Sequence, residues 1–319
     1  MSEKTVTVHR GKGIVKGKSP LLKAIVRDRY LYLFLVPILA YYIVFKYGPM
    51  YGVIIAFKDF RFADGILGSK WVGFKHFQRL FTSRDFLMIL RNTLLLNIYS
   101  VVFAFPIPII LAILLNEIRC IFFKKVSQSL FYLPHFISWV VLGGIVVALL
   151  SPSTGVINII LSRVFGIKPI YFMASTKWWP VVFILSGIWH DAGWGTIIFL
   201  AAITGINTEL YEAAVLDGAN KFQQIWHVTL PGIRSTIAIL LILRMGSMMD
   251  VGFEQIFILQ NGAVTNVAEV ISTYVYRLGI QGMQYSYTTA LGLFQSVISM
   301  ILVLGSNKII KAMGETGLW

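Results

Sequence analysis

Residues 209–231 read ELYEAAVLDGANKFQQIWHVTLP. This stretch carries Glu209, Glu212, Asp217 and an amide cluster at Asn220, Gln223 and Gln224, yet it lies between two long apolar runs. Asn207 or Thr208 can cap a short helix, with Glu209 in the first turn, where a negative charge suits the helix dipole. Leu210, Ala213 and Ala214 then share one face at i, i+3, i+4. Gly218 supplies the left-handed backbone that stops a helix. A second helix from about Lys221 to Val228 puts Phe222, Ile225 and Trp226 on one side. Pro231 stands near the start of the next helix, where its missing N–H costs little. The spacing predicts a helix-turn-helix with small residues at its bend, where another backbone can come close.

The surroundings make so polar a segment unusual. Of 319 residues, 57% are hydrophobic and 13% charged, against about 25% charged in a soluble domain. Six apolar segments stand out: Tyr30–Phe57, Thr93–Leu115, Leu130–Leu150, Trp178–Ile203, Thr236–Leu259 and Thr288–Leu304. Each can cross a bilayer as a helix, which satisfies its own backbone in lipid. The first is longer than the ~30 Å hydrocarbon core requires. Lys46, Gly48 and Pro49 interrupt it, so a kink or tilt is expected there. The expected fold is an all-α integral membrane protein with six transmembrane helices. A basic tail over 1–29 precedes a membrane domain over 30–319, and the polar loop, 205–232, joins spans four and five.

An even number of spans puts both termini on one side. Lys4, Arg10, Lys12, Lys16, Lys18, Lys23, Arg27 and Arg29 crowd the tail, which places that side in the cytoplasm. The loop 205–232 then faces the cytoplasm too. A net charge of +14 in a soluble protein would suggest nucleic acid. Here it reads as charge flanking membrane spans, with the lipid bilayer as partner and no nucleic acid. The outer loop departs from the rule, since Lys58, Arg61, Lys70, Lys75, Arg79 and Arg84 outnumber its acids. Within it Trp71, Phe74, Phe77, Leu80 and Phe81 fall at helical spacing. That pattern fits an amphipathic interfacial helix or a loop packed over the bundle.

Chemistry of other kinds finds little support. Lys12–Ser19, KGIVKGKS, nearly matches a phosphate-binding loop, but its first glycine is out of register and no strand precedes it. It reads as basic tail. The histidines, at 9, 76, 135, 190 and 227, form no metalloprotease pattern, and the single cysteine, Cys120, allows neither an internal disulfide nor a cysteine metal site. No catalytic set, no metal site and no bound cofactor are expected.

The spans nevertheless hold ionisable groups. His190 and Asp191 lie mid-way along span four beside Trp189 and Trp194, and Arg244, Asp250 and Glu254 fall within span five. Such groups usually face a cavity or a partner. Asp250 and Glu254, at i, i+4, would share a helix face. The set reads either as a sugar pathway, with polar groups for hydroxyls and aromatic rings for sugar faces, or as structural pairing such as Arg244 with Asp250.

The loop carries a resemblance. Glu212, Ala213, Ala214, Gly218, Leu230 and Pro231 match, at full spacing, the E-A-A-x-x-x-G…I-x-L-P loop of permease subunits in binding-protein-dependent ABC importers, with Val228 in place of the usual Ile. Asp217 and Ala219 extend the match in the manner of the sugar branch, and Val251–Gly279 and Tyr285–Ser296 resemble its oligosaccharide and polysaccharide permeases. The resemblance implies a type I ABC importer fold in the bacterial cytoplasmic membrane. It implies that the loop is a coupling helix docking on a separate ATPase, which uses ATP and Mg. It further implies a second, unlike permease subunit, two ATPase subunits and an extracellular or periplasmic solute-binding protein. The expected cargo is an oligosaccharide. The basic outer loop would attract an anion, and the resemblance to a branch that handles polysaccharide fragments, many of which contain uronic acids, implies an acidic, uronate-containing sugar. Alternatives are another solute carried by the same importer type, or an ion-coupled secondary transporter, which would have no use for the coupling loop.

Overall fold

A computed structural model of the chain describes residues 27–315, 317 and 318. The basic tail before Arg27, with its near-match to a phosphate loop, lies outside them. Contacts divide the chain at Ile54/Ile55, rather than at the start of the first span.

The first unit carries most of helix α1 (Arg29–Phe57), 29 residues long, or about 43 Å at 1.5 Å per residue. The irregularity expected at Lys46–Pro49 takes the form of a widened π turn over Ile43–Tyr47, two residues before Pro49. The same arrangement recurs in the second unit. A π turn at Ser100–Ala104 precedes Pro106, and another at Ile225–Thr229 precedes Pro231. The cause is common to all three. Proline lacks the N–H that would bond four residues back, and its ring crowds that carbonyl, so the helix widens by one residue just ahead of it.

The second unit opens with a two-residue antiparallel pairing, β1 (Lys58–Asp59) with β2 (Lys70–Trp71), followed by helix α2 (Lys75–Thr82). Trp71 lies on β2, outside this helix, and stacks on Phe57 at 5.8 Å. Helix α2 buries His76 and Leu80. Leu80 packs with Phe86, Ile89, Met249, Ile271, Tyr274, Tyr287 and Leu291. Leu80 is thus packed into the bundle, while Trp71, Phe74 and Phe81 stay exposed.

Helix α3 (Arg84–Glu117) is 34 residues long and begins nine residues before the expected span. The third span is not the single rod expected over Leu130–Leu150. Helix α4 (Ile121–Phe136) and helix α5 (Trp139–Leu150) meet at 102°. Pro134 ends the first, Ile137 and Ser138 are extended, and the Ser138 hydroxyl caps the second by accepting from Val141 N. The run stays apolar through the bend, so hydropathy alone passes over it. Helix α6 (Val156–Phe165) ends at Gly166, with φ +64°.

Helix α7 (Trp179–Thr204) matches the expected fourth span and buries eleven side chains or glycines, as befits a central helix. Its Trp179 indole donates to Leu259 O at 2.9 Å. Polar loop helices follow: α8 (Thr208–Leu216) and the first part of α9 (Lys221–Gly232). Helix α9 turns by 60° into α10 (Arg234–Gly246).

The fifth segment corrects the expected span over Thr236–Leu259. Helix α10 stops at Gly246, a turn covers 247–249, and a short helix α11 begins at Phe253 and ends at Leu259. Gly246 and Gly252 flank the interruption. Asp250 and Glu254 consequently do not share the face of one helix. Asp250 lies in the connection and Glu254 in the first turn of α11, both exposed. The last helix, α12 (Tyr285–Ala312), is 28 residues long. Among the described residues four helices are long and apolar enough to span, or up to six when each bent pair is taken as one.

Candidate functional site

Two sites emerge, one at the polar loop and one at the break of the third span.

The loop folds as its sequence directs. Asn207 Oδ1 accepts from Glu209 N at 3.0 Å and caps α8. At the other end Gly218 has φ +79°. Gly218 N donates to Val215 O at 3.0 Å and Ala219 N to Ala214 O at 2.9 Å. These are the paired bonds of a Schellman stop, which needs a left-handed residue where glycine stands. Asn220 and Gln223 then form a reciprocal capping box, with bonds of 3.0 and 2.8 Å, that starts α9. Tyr211 and Thr229 hydroxyls meet at 3.0 Å, and Lys221 pairs with Glu117 at 3.1 Å, tying the loop to itself and to the end of α3.

What this frame presents is apolar. Leu216 is 88% exposed, Phe222 72%, Trp226 60% and Val215 59%. Phe222 and Trp226 stack. Leu210 and Ala213 are exposed as well, and Ala214 is half-buried, so the face that these three share is largely outward. Glu212 lies with Glu117, Arg119 and Lys221 on a cavity of about 820 Å³. Asp217 is exposed beside the turn, while Leu230 and Pro231 carry α9 on toward the membrane segment. Contiguous exposed apolar side chains of this kind are found at protein–protein and membrane contacts.

The second site joins α7 to the break between α4 and α5. His190 Nδ1 lies 2.6 Å from Asp191 Oδ1, and His135 Nδ1 lies 3.1 Å from the same oxygen. His190 Nε2 faces Ile137 O at 3.2 Å. The rings are layered: His135 stacks on Trp194 at 4.7 Å, Trp139 on His190 at 4.5 Å, and Phe136 meets Trp194 edge-on. His190 is buried, whereas the Asp191 side chain is 61% exposed. The result is a half-open wall of aromatic faces with a carboxylate at its centre. The donor set of two imidazoles and one carboxylate lies within 4.8 Å. Sequence reading found His190, Asp191 and Trp194. It missed His135, whose one signal is its place directly after Pro134.

Arg244 is separate from Asp250. Its Nη2 donates to Asn97 Oδ1 at 3.3 Å, and among the described residues no ion pair joins it to a carboxylate. A further cavity, about 790 Å³, lies between α3 and α7, with Tyr99, Ile184 and Ile188 among its walls. None of the residues nominated from sequence lines it. A buried amide, Gln255, was also missed: it donates to Phe183 O at 2.7 Å and Ser186 Oγ at 3.1 Å, and so fixes α11 on α7.

The bundle and its bent spans are those of a multi-pass membrane protein. Residues 89–312 match the family described as binding-protein-dependent transport system inner membrane component, and the chain belongs to that family. It is similar to the polygalacturonan/rhamnogalacturonan transport system permease protein YteP of Bacillus subtilis, 46% identical over 299 residues, covering 94% of this chain and 93% of that one. It is equally similar, at 46% over 97% of its length and 95% of the other, to Protein LplB of the same organism. Among solved structures, a chain of the bacterial alginate ABC transporter, in complex with an alginate pentasaccharide-bound periplasmic protein, superposes with a TM-score of 0.86. The two are 43% identical, and the match covers 93% of this chain and 99% of that one. The fold is that of a type I ABC importer permease.

Proposed function

We propose that this chain is one translocation subunit of an ATP-driven importer for an acidic oligosaccharide. The observation that carries the coupling half of the reading is the exposed apolar surface of Val215, Leu216, Phe222 and Trp226, set on a doubly capped loop. A separate ATPase, using ATP and Mg, docks there. A second, unlike permease completes the pathway, with two ATPase subunits beneath and a solute-binding protein on the outer face. The chain lies in the bacterial cytoplasmic membrane with both termini inside, as its basic tail requires.

The acidic cargo rests on different ground. Two similar proteins are described as handling polygalacturonan/rhamnogalacturonan and alginate, polymers with sugar carboxylates. The outer loop adds a positive mouth, although part of its charge is locally committed: Lys75 pairs with Asp59 at 2.7 Å and holds that carboxyl below its ordinary range. Inside, Trp194 and the His135, His190 and Asp191 group supply a ring face and polar partners for a sugar. The test is ATP hydrolysis by the reconstituted complex with its binding protein, stimulated by uronate oligosaccharides or by neutral ones of equal length. A response to neutral sugar alone would end the acidic reading and leave the permease intact.

A further inference from the structure

Two ring nitrogens and one carboxylate oxygen converge where the third span breaks. His190 Nδ1 stands 2.6 Å and His135 Nδ1 3.1 Å from Asp191 Oδ1. His135 comes from the last turn of α4 and the other two from the middle of α7, so the cluster exists only because α4 ends at Phe136.

The second nitrogen of His190 decides what the first has to offer. His190 Nε2 lies 3.2 Å from the carbonyl oxygen of Ile137. A carbonyl only accepts, so a proton sits on Nε2, and in the neutral ring Nδ1 presents a lone pair. That lone pair faces a carboxylate oxygen, itself an acceptor, at 2.6 Å. Two lone pairs at this distance repel unless a positive centre lies between them. The ring does not turn away, because it is nine-tenths buried and stacks on Trp139 at 4.5 Å. A second proton on His190 would bridge this one contact. A metal ion bridges all three donors, since His135 Nδ1 aims at the same oxygen and stacking on Trp194 holds its ring there. An imidazole that donates one N–H to a backbone carbonyl and turns its other nitrogen inward has the usual posture of a metal ligand.

The spacing suits a small ion. Ligands bound at 2.0–2.2 Å around a tetrahedral centre stand roughly 3.3–3.6 Å apart. The His135 contact is close to that, and the Asp191 side chain, 61% exposed, has room to swing outward. Two imidazoles with one carboxylate suit Zn²⁺ and similar transition ions, whereas Ca²⁺ and Mg²⁺ take oxygen ligands. Three protein ligands leave a fourth position for water or another oxygen.

We propose that His135, His190 and Asp191 bind one divalent transition-metal ion of the Zn²⁺ type, which pins the break of the third span to α7. The proposal depends neither on the charge of the cargo nor on docking at the polar loop.

The experiment counts metal ions bound by the purified full complex, freed of metal by a chelator and titrated with Zn²⁺ alone against a coloured indicator. Wild type is expected to bind one tight Zn²⁺ more than H135A or D191N. Ions held by the other subunits are common to all three proteins and cancel. Each substitution is expected to weaken this ion roughly a hundredfold, since even the partners of metal ligands are worth about 10–100-fold. Co²⁺ alone is expected to give wild type a visible absorption band that Zn²⁺ abolishes and that both variants lack. D191N keeps the size of the side chain, so the reading does not depend on H135A assembling. Equal ion counts in wild type and variant overturn the proposal. So does a wild type that takes up no Zn²⁺ at micromolar free metal. Either result leaves an imidazolium–carboxylate contact in place of a metal site.

Discussion

A β-carbon on Gly193 would run into the carbonyl oxygen of Phe131. The end of α4 therefore rests directly on α7, just where the third span breaks and His135 reaches Asp191. Gly193→Ala must push two backbones apart. Overpacking of this kind costs about 1–3 kcal/mol. The expected outcome is a lower thermal midpoint of the purified complex and weaker uptake. A midpoint equal to wild type would mean that the α4–α7 contact is looser than described.

Gly218 presents the opposite case. Nothing lies within 4 Å of where its β-carbon would be, and its φ is +79°. Substitution there acts through the backbone alone, at roughly 1–2 kcal/mol for a side chain in the left-handed region. Gly218→Val is expected to reach the membrane in normal amount and to lose ATP hydrolysis stimulated by the loaded binding protein. Gly218→Asn should retain much of it, since asparagine tolerates this conformation. Glu212→Ala should cost less than Gly218→Val. Normal transport by the valine variant would reduce the loop to a connector.

Asp191 Oδ1 faces two imidazole nitrogens. Charge-assisted bonds contribute about 1.5–3 kcal/mol each. Asp191→Asn is predicted to loosen His135, the partly exposed partner, and to lower uptake by about tenfold. Trp194→Ala should do the same by removing the ring on which His135 stacks at 4.7 Å. Uptake at the wild-type rate in both variants would remove this wall from the pathway.

Topology can be read with single cysteines and an impermeant thiol reagent on intact cells. Native Cys120, which is exposed, and a cysteine at Asn220 should both be shielded. A cysteine at Asn261, exposed between α11 and α12, should react. Labelling at Asn220 from outside would invert the orientation.

The loop 205–232 was legible nearly residue by residue, because caps and stops are local chemistry. Asn207, Gly218 and Asn220 act on backbone groups within a few positions of themselves. Hydropathy placed four of the spans, and it reaches six only when each bent pair is taken as one. The bends were not legible. Hydropathy sees no difference between a straight apolar helix and one broken at Pro134, nor between a continuous fifth span and one interrupted after Gly246. The pairing of His135 with Asp191 depends on that break, and so did not follow from spacing. The same blindness made Asp250 and Glu254 look like neighbours on a helix. Prolines offered the signal that was there to use, since Pro49, Pro106 and Pro231 each stand two residues past a widened turn.

The 60° joint at Ile233 makes α9 and α10 a bell crank. Its two arms have equal reach: Phe222 on one and Arg244 on the other each stand eleven residues from the pivot, about 16 Å along each helix. With the angle held, a sideways push on one arm becomes a swing of the other. A joint of fixed angle would thus gear whatever seats on Phe222 and Trp226 to the far end of α10.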